Sequence, residues 1–146
     1  MTQIDFYTHV QNKQQIACVL STKAFERGLR TLIYTPDSAT SQQMDQLLWS
    51  SPAIGFIPHC SSQDKLAAIT PVIIDHQPDE QLQANVLLNL HPQWPPFFSR
   101  FERLIEIVGL DEEDKLAARE RFRFYRDRGY AIHTHDIGKG RQHDGV

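Results

Sequence analysis

Hydrophobic and polar positions change period several times along this chain, and each change marks an element. Ile4-Asp5-Phe6-Tyr7-Thr8-His9-Val10 is β-rich and predicts a first strand. From Lys13 to Arg27 the pattern turns helical, with Ile16, Val19, Leu20 and Lys23 on adjacent turns and Gly28 as the stop. Thr31-Leu32-Ile33-Tyr34 predicts a second strand, closed by Pro36-Asp37. Ser38 or Ser41 would cap a second helix through Met44, Leu47, Leu48 and Trp49. Phe56-Ile57-Pro58-His59 predicts a short third strand that Pro58 keeps brief.

Pro71-Val72-Ile73-Ile74-Asp75 and Asn85-Val86-Leu87-Leu88-Asn89-Leu90 are continuous apolar runs rather than alternating ones. Strands covered on both faces read this way, as they do in a mostly parallel sheet. The last third predicts helices. Pro95-Pro96 opens one whose apolar stripe is Phe97, Phe98, Phe101, Leu104, Ile105 and Val108. A second, basic helix runs from Asp111 to Gly129. Residues from Ile132 onward are rich in His, Gly and polar groups, and the last of them are expected to fray. No repeat or long linker divides the chain. The expectation is one α/β domain over residues 1–136, three-layered and Rossmann-like, with an open sheet between helices and a flexible tail over 137–146.

Size and composition agree with that picture. A chain of 146 residues, 40% hydrophobic and 23% charged, suits one soluble domain with one core. Its net charge of −3 argues against a whole-surface nucleic-acid binder, so basic chemistry has to be local. Cys18 and Cys60 are too few for a disulfide framework or a zinc cage, and Cys18 reads as a small core hydrophobe. No signal peptide and no apolar run of about 20 residues appears, so a cytosolic protein with no membrane contact is expected.

Candidate chemistry narrows by elimination. No GxGxxG follows the first strand and no GxxxxGK[ST] occurs. Gly138-Lys139-Gly140-Arg141 lacks the strand and helix that a phosphate loop needs. His133, His135, Asp136 and His143 do not have metal-ligand spacing. Asp75-His76 at a strand end has no marked nucleophile or carboxylate partner. No catalytic residue, cofactor or metal is expected.

Two patches remain. In Asp111–Tyr130, Lys115, Arg119, Arg121, Arg123, Arg126 and Arg128 face only Glu120 and Asp127 once the acidic first turn is passed. Lys115, Arg119 and Arg123 are spaced i, i+4, i+8 and lie along one helix face, with Arg126 close by. Leu116, Ala118, Phe122 and Tyr125 can cover much of the other side. A cationic stripe edged by aromatic rings suits an acidic peptide ending in a hydrophobe, or a phosphate chain. Acids early and bases late in a helix also simply complement its dipole. The second patch is Trp49, Pro52 and Phe56, either core aromatics near a loop or an exposed anchor.

Leu48-Trp49-Ser50-Ser51-Pro52 with Phe56-Ile57-Pro58-His59, and Ala117-Ala118-Arg119-Glu120-Arg121-Phe122-Arg123-Phe124-Tyr125-Arg126 with Gly129-Tyr130, resemble the signatures of the chi subunit family of bacterial DNA polymerase III. Asp5-Phe6-Tyr7 is similar to the family's first strand, and the likeness covers nearly the whole chain. The resemblance implies a Rossmann-like adaptor without a nucleotide site. It implies one surface for the psi subunit of the clamp loader, matched here by Trp49, Pro52 and Phe56. A second surface would take the acidic C-terminal tail of single-stranded DNA-binding protein, which ends in Asp-Asp-Ile-Pro-Phe in many bacteria. Lys115, Arg119, Phe122, Arg123 and Arg126 match that site, Arg123 standing where many relatives have Lys. The tail's carboxylate would seek Arg119, and its terminal ring a pocket beside Phe122 or Ile107. DNA would be met only indirectly, and a repair-related helicase is a further implied partner. Residues 137–146 and the 60–70 loop have no counterpart in the likeness. The alternative from the residues alone is a single-stranded nucleic-acid module stacking bases on Phe122 and Tyr125. A small-molecule enzyme working near Asp75 and His76 is the other rival.

Overall fold

The computed structural model describes residues 1–50, 57–79 and 82–140, with the side chains of 139 and 140 left aside. Seven strands form one parallel sheet: β1 (Gln3–Thr8), β2 (Thr31–Tyr34), β3 (His59–Cys60), β4 (Val72–Asp75), β5 (Val86–Asn89), β6 (Arg103–Ile107) and β7 (Ile132–Asp136). Their order across the sheet is β3-β4-β2-β5-β6-β1-β7. The helices are α1 (Lys13–Glu26), α2 (Ser38–Ser50), α3 (Glu112–Asp127) and the single turn α4 (Ile137–Gly140).

Local chemistry sets the boundaries. Asn12 caps α1 by accepting from the Gln15 N–H, and Gly28 leaves it at φ 76°, where a Cβ would be strained. The cap of α2 is neither Ser38 nor Ser41. Asp37 accepts from the Thr40 N–H at 2.8 Å, while the Ser41 hydroxyl pairs with Thr35 at 2.6 Å. A carboxylate one residue earlier satisfies the helix start, so Ser41 is left to tie the helix to the end of β2.

The apolar runs of β4 and β5 are buried on both faces, as their composition predicts. Alternate residues feed two cores. Ile33, Ile74, Leu88, Ile105 and Ile107 pack with Ala17, Leu20, Met44 and Leu48 beneath α1 and α2. Leu32, Ile73, Leu87, Leu104 and Phe6 pack with Ala118 and Tyr125 beneath α3. Cys18 belongs to the first core, and burial pushes its thiol up to about 11.

The helix expected from Phe97 to Val108 does not form. Residues Phe98–Arg100 make one 3₁₀ turn and Arg103–Ile107 is strand β6. Leu104, Ile105, Glu106 and Ile107 are all buried, which a helix turning one side to water would not allow. The positions that fit a 3.6 period fit equally a strand buried on both faces, and the contacts of β1 and β5 on either side decide it. The polar stretch from Ile132 was another misreading in part: it pairs with β1 as the edge strand β7. Beyond it Ile137 packs on the first core, and 141–146 lie outside the described residues.

This connectivity creates a crevice. The chain leaves β1 by α1 over one face, while it leaves the neighbouring β6 by α3 over the other. Adjacent strands whose crossovers part to opposite faces leave a gap at their carboxyl ends, the place where open α/β sheets bind ligands.

Candidate functional site

α3 is held in place by a buried polar network. Glu106 on β6 is fully buried and accepts from Arg121 Nε at 2.8 Å, Tyr125 Oη at 2.6 Å and Asn89 Nδ2 at 3.0 Å. Arg121 also donates to the Pro92 carbonyl at 2.7 Å. One carboxylate thus fastens two turns of α3 to two strands and to the loop after β5. Burial pushes the Glu106 carboxyl up, and the Arg121 guanidinium pulls it back. Burial beside that carboxylate pushes the Tyr125 phenol far up.

The start of α3 is fixed by Asp111, which accepts from the Asp114 N–H. Asp114 in turn accepts from the Gly109 N–H at 2.6 Å and from Lys13 Nζ at 2.9 Å. Burial alone would raise its carboxyl, but the Gly109 and Lys13 donors outweigh it and hold it below the ordinary range. Asp114 therefore stays ionised, with its charge already matched by Lys13.

Between α3 and the carboxyl ends of β1, β6 and β7 lies a cleft of about 260 Å³. Its apolar lining is Phe6, Val108, Ala118 and Phe122, and its polar lining includes Thr8, His9 and Thr134. Lys115 and Arg119 complete it from α3. His9 has φ 58°, in the left-handed region, and its Nδ1 lies 3.0 Å from Asp136 Oδ1. Gly138 lets α4 approach there, since a Cβ would fall 2.7 Å from that of His9.

The six cations after the first turn of α3 have different employments. Arg121 is buried against Glu106. Arg123 pairs with Glu120 at 3.1 Å, and Arg126 with Asp127 at 3.2 Å, both on the surface. Arg128 lies over the Phe124 ring at 3.6 Å. The side chains of Lys115 and Arg119 alone among the six make no hydrogen bond, ion pair or ring contact with the described residues. These two line the cleft. A pair of uncompensated cations beside an apolar hollow can hold an anionic group attached to a hydrophobe.

Of the residues expected at the basic site, the fold brings Lys115, Arg119 and Phe122 together around the cleft. Arg123 lies one turn further along α3 and Arg126 beyond it. Ile107 is buried on the opposite face of the sheet and lines nothing here. Leu116 is exposed rather than covering the far side of α3. Tyr125 has 0% exposure, so it offers no stacking surface to a base. Phe124 is sandwiched between Arg128 and Trp94, whose ring stacks at 3.8 Å. The aromatic interleaving is thus divided among core, cleft and a surface stack.

Trp49 is 63% exposed at the last turn of α2, with its ring edge-on to His59 at 5.5 Å. Pro52 and Phe56 lie outside the described residues. Asp75 is a loop anchor: it accepts from the backbone and hydroxyl of Ser62 and from the Gln77 N–H. Among the described residues no three His, Cys, Asp or Glu side chains group to hold a metal. His135 Nε2 instead donates to the Asp5 carboxylate, and its ring stacks on Tyr7. No described helix is long and apolar enough to cross a membrane.

Sequence reading missed His9, Thr134 and the Glu106–Arg121 pair. A lone Glu within Leu104-Ile105-Glu106-Ile107-Val108 was the available signal, since an acid inside a buried run demands a partner.

Comparison with known proteins bears on the whole chain. Residues 1–133 match the family model described as DNA polymerase III chi subunit, HolC. A DNA polymerase III subunit chi of Pseudomonas aeruginosa is 32% identical over 141 residues, spanning 94% of this chain and 98% of the relative. The protein of that name in Haemophilus influenzae is 30% identical over 86% of this chain and 88% of its own. That of Escherichia coli is 27% identical, with 83% of each covered.

Proposed function

This chain belongs to the DNA polymerase III chi subunit family, a replication accessory subunit, and from that premise we propose that it is a non-catalytic, cytoplasmic replisome adaptor with two binding faces. One face is the cleft under α3, which takes the acidic, hydrophobe-ended tail of single-stranded DNA-binding protein. The other is centred on Trp49 and takes the psi subunit.

The observation that carries the first face is the pair of uncompensated cations, Lys115 and Arg119, on an apolar cleft at the switch point of the sheet. In this reading the peptide's terminal ring enters among Phe6, Val108 and Phe122, and its carboxylate meets Arg119. The preceding aspartates run along α3 toward Arg123 and Arg126. Their surface pairs with Glu120 and Asp127 are weak and exchange readily for a better anion. Arg offers a carboxylate two parallel N–H donors, which favours this arrangement over a single point charge.

Titration of the full chain with a labelled peptide ending in Asp-Asp-Ile-Pro-Phe tests this. Binding is expected to saturate, to weaken as salt screens the encounter, and to require the last Phe. Equal retention of naked single-stranded DNA, with no peptide binding, would transfer the function to direct nucleic-acid contact.

For the second face, an exposed Trp is the residue type that anchors durable interfaces. Trp49→Ala is expected to weaken co-purification with psi, at a cost of about 2 kcal/mol in affinity. The melting temperature of the isolated chain should hardly change. Undiminished psi binding would move that interface elsewhere.

A further inference from the structure

A second hollow lies on the opposite face of the sheet from the α3 cleft, between the last turns of α1 and strands β1, β5 and β6. It measures about 110 Å³ and has aliphatic walls from Leu20, Leu29, Val86 and Ile105. Three cations also line it: Lys23 and Arg27 from α1, and Arg103 from β6. Nothing in the proposed adaptor chemistry uses it.

Arg103 is held ready. Its Nε donates to the buried Asp5 carboxylate at 2.8 Å and its NH2 to the Tyr7 hydroxyl at 3.3 Å, which leaves its other N–H groups to spare. Asp5 also holds His135 at 2.9 Å. Burial pushes the Asp5 carboxyl up, but the His135 and Arg103 hydrogen bonds outweigh it and keep it ionised.

The side chains of Lys23 and Arg27 make no ion pair or hydrogen bond among the described residues. Basic residues in a last helical turn often just answer the dipole. Here the end of α1 is already closed by backbone donors: Arg27 and Leu29 N–H to the Ala24 carbonyl, and Gly28 N–H to that of Phe25. Two full charges also exceed the roughly half charge of a helix end. With Arg103 they converge from two elements on one small space with aliphatic groups on one side and cations on the other.

We propose that this hollow is a separate binding site for the C-terminal residue of a peptide, with its carboxylate on Lys23, Arg27 and Arg103 and a branched aliphatic side chain between the walls. The volume selects the side chain. An apolar cavity of about 150 Å³ accommodates benzene, so a hollow of about 110 Å³ suits a Val- or Leu-sized group rather than an aromatic ring. The two hollows thereby divide peptide ends by shape: aromatic under α3, aliphatic behind α1.

Methyl-resolved NMR of the full chain with N-acetyl-leucine as probe tests the assignment. Signals of Leu20, Leu29, Val86 and Ile105 are expected to shift saturably. N-acetyl-leucinamide, which lacks the carboxylate, should bind at least about tenfold more weakly. The double variant Lys23→Ala/Arg27→Ala should show a similar loss. The acidic Phe-ended peptide, added to the same sample, reports separately through Ala118, so failure of one site is distinguished from failure of the other. Equal binding of acid and amide, unchanged affinity in the double variant, or shifts confined to the α3 cleft would each overturn the assignment.

Discussion

Arg121→Met is expected to destabilise the fold by about 3–5 kcal/mol, the largest loss from any single surface-neutral change on α3. The side chain is 2% exposed and its partner Glu106 fully buried, so the substitution strands a carboxylate in the core with only Tyr125 and Asn89 as donors. The loss comes from the uncompensated charge more than from missing contacts, because Met fills much of the same volume. That distinction can be measured. Burial already pushes the Glu106 carboxyl up, and without the cation nothing strong pulls it back. A folded state with a raised carboxyl takes up a proton more readily than the unfolded chain. The penalty should therefore be greatest at neutral pH and shrink as pH falls through the folded value. Urea unfolding across that range would show it. Glu106→Gln added to Arg121→Met should restore part of the stability by removing the charge itself. A loss that is independent of pH and not relieved by the second substitution would mean that packing, rather than charge, dominates.

Arg119→Glu is expected to weaken the acidic peptide by about a hundredfold, roughly 2.7 kcal/mol, while leaving the melting temperature almost unchanged. The substitution exchanges attraction for repulsion at the mouth of the cleft, and Arg119 contributes no bond to the fold among the described residues. Arg119→Ala should cost about tenfold, since it removes the attraction alone. Reversal at Arg126 serves as the contrast. That residue already faces Asp127 outside the cleft, so Arg126→Glu should cost less than Arg119→Glu at every salt concentration. Fluorescence anisotropy at low and moderate salt separates these cases. Equal losses from Arg119→Glu and Arg126→Glu would mean that the peptide follows the whole stripe rather than entering the hollow.

Much of this could be read from the chain, for physical reasons that differ by element. β2, β4 and β5 were legible because fully covered strands carry unbroken apolar runs between turn residues. α1 and α3 were legible because their helical spacing is clear and a glycine, Gly28 or Gly129, stops each one. β6 was not, because Phe97 to Val108 satisfies two periods at once and only its neighbours choose between them. β7 was hidden for a different reason: as an edge strand mostly turned to solvent it has no apolar signature, and its partner β1 lies more than a hundred residues away. The same gap explains the site. Helical spacing put Lys115 and Arg119 on one face and the family resemblance added Phe122, but His9 and Thr134 reach the cleft only through strand pairing. Charge counting was also too coarse. It counted Arg121 among six local cations, although that residue is a core component with a dedicated acid.

The position of β1 sets the order in which the molecule can be completed during synthesis. Both of its hydrogen-bonding flanks are filled by late segments, Arg103–Ile107 and Ile132–Asp136. While β2, β4 and β5 can assemble with one another as they leave the ribosome, the earliest strand must wait for the last to emerge. Until Arg103–Ile107 emerges, Ile4, Phe6 and Tyr7 have no strand neighbour on either side, and until Ile132–Asp136 emerges they have only one. Such long-range closure slows folding and leaves sticky strand edges open in the meantime. A nascent chain stopped before residue 132 would therefore lack one flank of β1, leaving as an open sheet edge a strand that the finished fold covers on both sides.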